Sequence, residues 1–126
     1  MTRQLPRLHA VTNNEVIALP DFSERAVALA STPHAAVHIR SGSLTGRQLT
    51  HLAEATIGSS ESHKVFVNDR ADVARIVGAG GVHLPASGLP VAIARSIVGP
   101  ESWIGRSAHS PEDVFRASAE GADYVF

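Results

Sequence analysis

The sequence contains no cysteine and only one lysine, Lys64, among its 126 residues. Without thiols the chain forms no disulfide and offers neither a thiolate nucleophile nor a thiolate metal ligand. Lys64 opens a predicted strand, at the end of the sheet opposite the polar clusters described below, so a Schiff-base mechanism has no obvious candidate. Acid and base chemistry therefore falls to seven histidines and twelve carboxylates.

The sequence also lacks basic runs and long apolar runs. Its formal net charge is −1, and the few aromatic residues are not interleaved with arginine, so we expect no nucleic-acid partner. The apolar stretches have the length of strands and fall short of the ~20 residues that a membrane-spanning helix needs. Because the first residues contain no apolar core of a secretory signal, we expect a cytoplasmic protein without a membrane partner.

What the sequence does contain is a regular alternation of two apolar patterns. Short apolar runs that end in polar or glycine-rich turns predict six strands, at residues 8–12, 35–40, 65–67, 81–84, 102–105 and 123–126. Apolar residues at helical spacing predict five helices between them, at residues 22–30, 44–57, 72–77, 91–98 and 111–119. Asn13 and Asn14 are interpreted as a turn, and Ser110 as the N-cap of the last helix. This alternation predicts an α/β domain, residues 1–126, with a parallel sheet covered by helices.

Two observations favour a barrel over a doubly wound sheet. Polar residues recur at the ends of most strands, and no glycine-rich dinucleotide loop follows the first strand. We therefore expect a (β/α)8 barrel of the TIM type. Such barrels usually take ~250 residues, so six strands and five helices predict an incomplete barrel. The first and sixth strands would then be open edges, through which we expect the chain to self-associate.

The candidate site residues are polar side chains at the ends of the predicted strands. They are His38, Arg40, Asn68, Asp69, His83, Ser107 and His109. A guanidinium such as that of Arg40 suits a carboxylate or a phosphate. Asn68 and Asp69 have a simpler interpretation as turn formers. His83 either contacts substrate or fills the barrel interior against a neighbour, and His109 either acts in the site or helps to cap the last helix.

Four segments together resemble the thiamine phosphate synthase and TenI family of small (β/α)8 barrels. They are Val-Asn-Asp-Arg-Ala-Asp-Val-Ala (67–74), Gly-Gly-Val-His-Leu (80–84), Ile-Gly-Arg-Ser-Ala-His-Ser (104–110) and Gly-Ala-Asp-Tyr-Val (121–125), in family order and at similar spacing. Synthase members join a pyrimidine diphosphate to a thiazole phosphate with magnesium. The resemblance implies that the residues named above bind substrate.

Departures from the synthase pattern favour the TenI branch, whose better-defined members are thiazole tautomerases. Arg40 is retained, but the lysine that follows it in synthases is absent, and residues 85–88 offer no carboxylate. Of the two metal aspartates, Asp69 alone remains. Tautomerisation needs an acid or base but no metal, so the resemblance implies a TenI-like tautomerase that acts on a thiazole carboxylate phosphate without a cofactor.

Two alternatives stay open: a magnesium-dependent thiamine phosphate synthase with Asp69 as a metal ligand, and a non-catalytic regulatory or ligand-binding relative. The catalytic histidine of the TenI branch is expected beyond Phe126, which leaves His109 as the candidate within this chain. Activity of residues 1–126 alone is therefore doubtful on the sequence, whichever branch applies.

Overall fold

Six parallel strands form one sheet in the computed structural model, which describes residues 4–58 and 61–126. The strands are Leu8–Val11 (β1), Ala35–Ile39 (β2), Val65–Asn68 (β3), Gly81–Leu84 (β4), Trp103–Arg106 (β5) and Tyr124–Val125 (β6). They lie side by side in chain order, and each neighbouring pair is parallel. In a doubly wound sheet, the order in which successive strands are added would instead reverse at a switch point. The structure confirms the predicted α/β class and the predicted barrel type, because the strands lie side by side in chain order.

The helices alternate with these strands, as predicted, with two additions, the first helix and a 3₁₀ turn. They are Asn14–Ile17 (α1), Phe22–Ala30 (α2), Gly46–Gly58 (α3), Ala71–Val77 (α4), Val91–Val98 (α5) and Pro111–Ala119 (α6), and a 3₁₀ turn covers Ser62–Lys64. The interpretation of Asn13 and Asn14 as a simple turn was wrong. The Asn13 side chain accepts a hydrogen bond from the Val16 backbone N–H at 2.9 Å and so caps the short helix α1.

The hydrophobic core lies between the outer face of the sheet and the helices. Alternate strand residues point outward because side chains of a strand alternate between its two faces. The core is built from aliphatic strand residues and from small or aliphatic helix residues, among them Val37, Ile39, Val67, Val82, Leu84, Ile104, Ala53, Val73, Val91 and Ala94.

Rings fill the opposite, inner face of the sheet. We call His9, His38, Phe66, His83, Tyr124 and Phe126 the interior ring cluster. The ring of His9 on β1 lies 5.3 Å, centroid to centroid, from that of Tyr124 on β6, although these strands are the two edges of the sheet. The sheet is therefore strongly curved, and six strands form an incomplete barrel around these rings.

The two edge strands carry exposed apolar side chains. Leu8 and Val11 of β1 are 62% and 51% exposed, and Phe126, next to β6, is 49% exposed. Self-association through these edges stays a prediction. Within the described part of the chain, no helix has the length and apolar character needed to cross a membrane.

Candidate functional site

A polar cavity of about 530 Å³ opens at the carboxyl ends of β2 and β3. We call it the β2–β3 cavity. Its wall includes Asn13, Asn14, Arg40, Asn68, Asp69 and Arg70. Three of the residues predicted from the sequence, Arg40, Asn68 and Asp69, thus lie around one space, because parallel strands present their carboxyl ends at the same edge of the sheet.

Thr12 holds the backbone at Arg40. Its hydroxyl donates to the His38 carbonyl at 2.7 Å and accepts from the Arg40 backbone N–H at 3.0 Å, and the residue is only 5% exposed. Thr12 therefore ties the end of β1 to the end of β2. The sequence analysis did not single it out, although a polar residue at the end of the first predicted strand was the available signal.

Asp69 adopts an unusual backbone conformation at the end of β3. Its φ of 67° lies in the left-handed region, where aspartate is among the more tolerated non-glycine residues. Its backbone N–H donates to the carbonyl of His83 at 2.8 Å, which links the ends of β3 and β4. Among the described residues, neither the Asp69 carboxylate nor the Arg40 guanidinium has a hydrogen-bond or ion-pair partner.

The second guanidinium at the cavity, that of Arg70, is neutralised by its neighbour. Arg70 donates two hydrogen bonds to the Asp72 carboxylate, at 2.9 and 2.6 Å. The hydrogen bond and the charge of Asp72 raise the pKa of Arg70, and Arg70 in turn lowers the pKa of the Asp72 carboxyl. In the part of the cavity that the structure describes, Arg40 is therefore the cation available for an anionic ligand.

His83 lies in the barrel interior below the carboxyl edge and is 4% exposed. Its Nε2 is 2.8 Å from Ser107 Oγ, its Nδ1 is 3.2 Å from Tyr124 Oη, and Phe126 stacks on its ring at 4.7 Å. Burial lowers the pKa of His83 to about 4, assisted by the positive potential of His9 and two arginines, so the ring is neutral at pH 7. His83 thus points inward with both ring nitrogens near hydrogen-bonding neighbours, and its predicted contact with substrate stays a prediction.

Ser107 connects this interior network to the surface. It follows β5 and borders a second, smaller cavity of about 210 Å³, together with Gly88, Pro90 and Asp113. Ser107 therefore lies at the predicted carboxyl edge, but the structure places it beside a different cavity from Arg40.

His38 is 1% exposed and paired with His9. His9 Nε2 is 2.9 Å from the Pro6 carbonyl, which can only accept, so in a neutral His9 the Nδ1 atom is the acceptor. His38 Nε2 then donates to it at 2.8 Å. Burial and the neighbouring histidines lower the pKa of His38 to about 3. The walls of the two cavities described above do not include His38, and its predicted contact with substrate stays a prediction.

His109 is exposed beyond β5. Its backbone N–H donates to the Asp113 carboxylate at 3.0 Å, while Ser110 Oγ accepts from the Asp113 N–H at 3.1 Å. The bond from the Asp113 N–H satisfies a free N–H group in the first turn of α6 and confirms Ser110 as its N-cap. His109 contributes its backbone N–H, and not its imidazole, to the bond with Asp113 and lies outside both cavities as described, so its predicted role in the site stays a prediction.

The synthases that this sequence resembles use magnesium, and the residues of the site fit that ion only in part. Within residues 4–58 and 61–126, no group of three or more histidine, aspartate and glutamate side chains could hold a metal ion. Residues 85–88 carry no carboxylate. Mg²⁺ is, however, often held by one or two carboxylates together with substrate phosphates. Asp69 fits that pattern as a single protein ligand beside a bound phosphate.

Comparisons with known proteins name the family. Residues 8–126 match the model of the TMP-TENI family, described as thiamine monophosphate synthase. The thiamine-phosphate synthase of Caldanaerobacter subterraneus is 32% identical over 94% of this chain and 56% of its own length. Thiamine-phosphate synthase 2 of Streptococcus pneumoniae is 31% identical over 99% of this chain and 60% of its own.

A solved structure shares the fold. The thiamine phosphate pyrophosphorylase of Pyrococcus furiosus superposes with a TM-score of 0.78 at 27% identity, over 96% of this chain and 59% of that one. The chain thus spans less than two thirds of the length of these relatives. Their names favour the synthase alternative over the TenI branch that the sequence analysis preferred. On the match over residues 8–126, the chain belongs to the TMP-TENI (thiamine monophosphate synthase) family.

Proposed function

We propose that the chain serves thiamine phosphate synthesis, the coupling of a pyrimidine diphosphate to a thiazole phosphate, and that the β2–β3 cavity binds phosphate groups of these substrates. One observation carries the proposal: Arg40, Asn68 and Asp69 line a single cavity, and among the described residues the charged groups of Arg40 and Asp69 make no hydrogen bond or salt bridge, although the Asp69 charge acts on the adjacent Arg70. The names of the relatives support the same reaction.

The residues of the cavity have complementary roles in this proposal. The planar guanidinium of Arg40 binds two phosphate oxygens at once, and the Asn68 amide donates a further hydrogen bond. Asp69 would hold Mg²⁺, and the chemistry that the metal would supply there is neutralisation of negative charge on phosphate groups. The left-handed backbone at Asp69, tied to the His83 carbonyl, keeps the carboxylate at the cavity.

Calorimetric titration with inorganic pyrophosphate and Mg²⁺ tests the binding step. We expect Arg40→Gln to weaken binding at least tenfold, since a charge-assisted bidentate contact contributes about 1.5–3 kcal/mol. Arg25→Gln is the matched control, because Arg25 of α2 pairs with Asp21, which precedes this helix, and does not line the cavity. Equal affinities of the wild type and Arg40→Gln would overturn the assignment of the cavity.

A second candidate is the thiazole tautomerase of the TenI branch. The loop of residues 85–88, which begins with Pro85 and has no carboxylate, favours it, because Asp69 is then the one carboxylate among the described residues that line the β2–β3 cavity. Two assays separate the candidates: formation of thiamine phosphate with and without Mg²⁺, and isomerisation of the thiazole carboxylate phosphate followed by NMR. Coupling that depends on Mg²⁺ would support the synthase. Isomerisation without a metal would support the tautomerase. Binding without either reaction indicates a non-catalytic relative.

A further inference from the structure

Tyr124, His83 and Ser107 form a continuous hydrogen-bonded chain from the barrel interior to its carboxyl edge. The phenol oxygen of Tyr124 is 3.2 Å from His83 Nδ1, and His83 Nε2 is 2.8 Å from Ser107 Oγ. Gly105 makes the first contact possible, because a Cβ atom at that position would overlap the Tyr124 ring. Phe126 stacks on the imidazole of His83, with the ring centroids 4.7 Å apart.

Protons can be donated along these two hydrogen bonds in only two directions. A neutral imidazole has one N–H donor and one nitrogen acceptor. In the first direction, Tyr124 donates to Nδ1 and the Nε2–H of His83 donates to the serine oxygen. In the second, Ser107 donates to Nε2 and the Nδ1–H of His83 donates to the phenol oxygen.

The surroundings of the two ends decide between these directions. In the second direction the phenol proton needs another acceptor, yet His83 is the only hydrogen-bond partner of Tyr124 Oη in the described part of the chain. Tyr124 is half-buried, and a phenol donor that is withdrawn from water without an acceptor costs up to about 1–3 kcal/mol. In the first direction the unused proton is on Ser107, which borders a cavity where solvent or ligand accepts it.

We propose that Tyr124 and His83 are positioning residues that set Ser107 as a hydrogen-bond donor toward a phosphorylated substrate. Because His83 Nε2–H occupies one lone pair of the serine oxygen, the hydroxyl hydrogen is directed to an acceptor atom outside the network. The assignment of a phosphorylated substrate to Ser107 rests on the proposed function. The direction of proton donation along the Tyr124–His83–Ser107 hydrogen bonds does not. Burial, which lowers the pKa of His83 and raises that of Tyr124, keeps both groups in the neutral forms that this direction requires.

The tautomer of His83 tests the inference in the ligand-free protein. Long-range ¹H–¹⁵N NMR correlations distinguish a protonated ring nitrogen from an unprotonated one. We expect His83 to show a single neutral tautomer at pH 7 with the proton on Nε2. A proton on Nδ1, or a charged imidazolium, would overturn the proposal, and this result needs no variant that has to fold.

Tyr124→Phe tests whether the phenol sets the tautomer. The ring is kept and only the hydroxyl is lost, so His83 is left with Ser107, whose hydroxyl both donates and accepts. We expect the two neutral tautomers to become mixed. Phe126→Leu is the control: it alters the stacked ring without removing a hydrogen bond, and the Nε2–H tautomer should persist. An unchanged His83 tautomer in Tyr124→Phe would show that Tyr124 does not set the tautomer and is not a positioning residue. Absence of pyrophosphate binding would overturn only the proposed function.

Discussion

Replacing Thr12 with valine should destabilise the protein and loosen the backbone at Arg40. Valine preserves the size and branching of threonine but removes the hydroxyl, which makes two hydrogen bonds, at 2.7 Å to the His38 carbonyl and at 3.0 Å from the Arg40 N–H. The His38 carbonyl keeps a second donor, the Thr12 backbone N–H at 3.1 Å, whereas the Arg40 N–H loses the partner described for it.

The size of the effect follows from these two losses. A hydrogen bond contributes about 0.5–1.5 kcal/mol net, with the lower end expected at the carbonyl that retains a donor and the upper end at the orphaned N–H. We therefore expect a loss of about 2 kcal/mol in the free energy of unfolding. For a chain of this length, that corresponds to a fall of roughly 8 °C in Tm.

Urea unfolding followed by circular dichroism measures this loss. With m near 2 kcal/mol/M, the midpoint should fall by about 1 M while m stays constant. Thr32→Val is the matched control, because the exposed Thr32 hydroxyl only donates to the Ala28 carbonyl within α2, and its effect should stay within about 0.5 kcal/mol. If Thr12→Val unfolded at the wild-type midpoint, the proposed coupling of β1 and β2 through this hydroxyl would be wrong.

Three further predictions concern packing, capping and pH. Gly105→Ala should cost about 1–3 kcal/mol in urea unfolding, since the new Cβ overlaps the Tyr124 ring; wild-type stability would refute that close contact. Ser110→Ala should cost about 1 kcal/mol by loss of the α6 N-cap, checked by the same assay, and an effect near zero would show that the cap contributes little. Stability should fall as the pH is lowered from about 6.5 to 4.5, because unfolded histidine takes up a proton there while folded His38 and His83, with pKa values of about 3 and about 4, do not. A flat profile in that range would contradict their burial as neutral rings.

The fold was largely predictable from the sequence, because most of its strands and helices are long enough to show the spacing of apolar residues that is typical of each element. The four-residue helix α1 escaped prediction since it spans barely one turn and has no buried residue. Its start was marked only by Asn13, which suits a turn and an N-cap equally well.

The site was predictable in part, for a physical reason. Chain order and the parallel sheet bring the ends of β2 and β3 together, so Arg40 and Asp69 could be assigned to one edge. The interior ring cluster depends instead on the curvature of the sheet, which brings His9 of β1 to Tyr124 of β6. The sequence of a single strand does not determine this curvature, so the contacts within the interior ring cluster could not be predicted from it.

Binding of inorganic pyrophosphate in the presence and absence of Mg²⁺, compared between the wild type and Asp69→Asn, tests the central claim most directly. Because Asp69 is proposed to hold the metal beside the phosphates, Mg²⁺ should strengthen binding to the wild type at least tenfold and leave the affinity of Asp69→Asn nearly unchanged. The same Mg²⁺ enhancement in both proteins, or no binding to either, would contradict the account of the β2–β3 cavity as a phosphate and metal site.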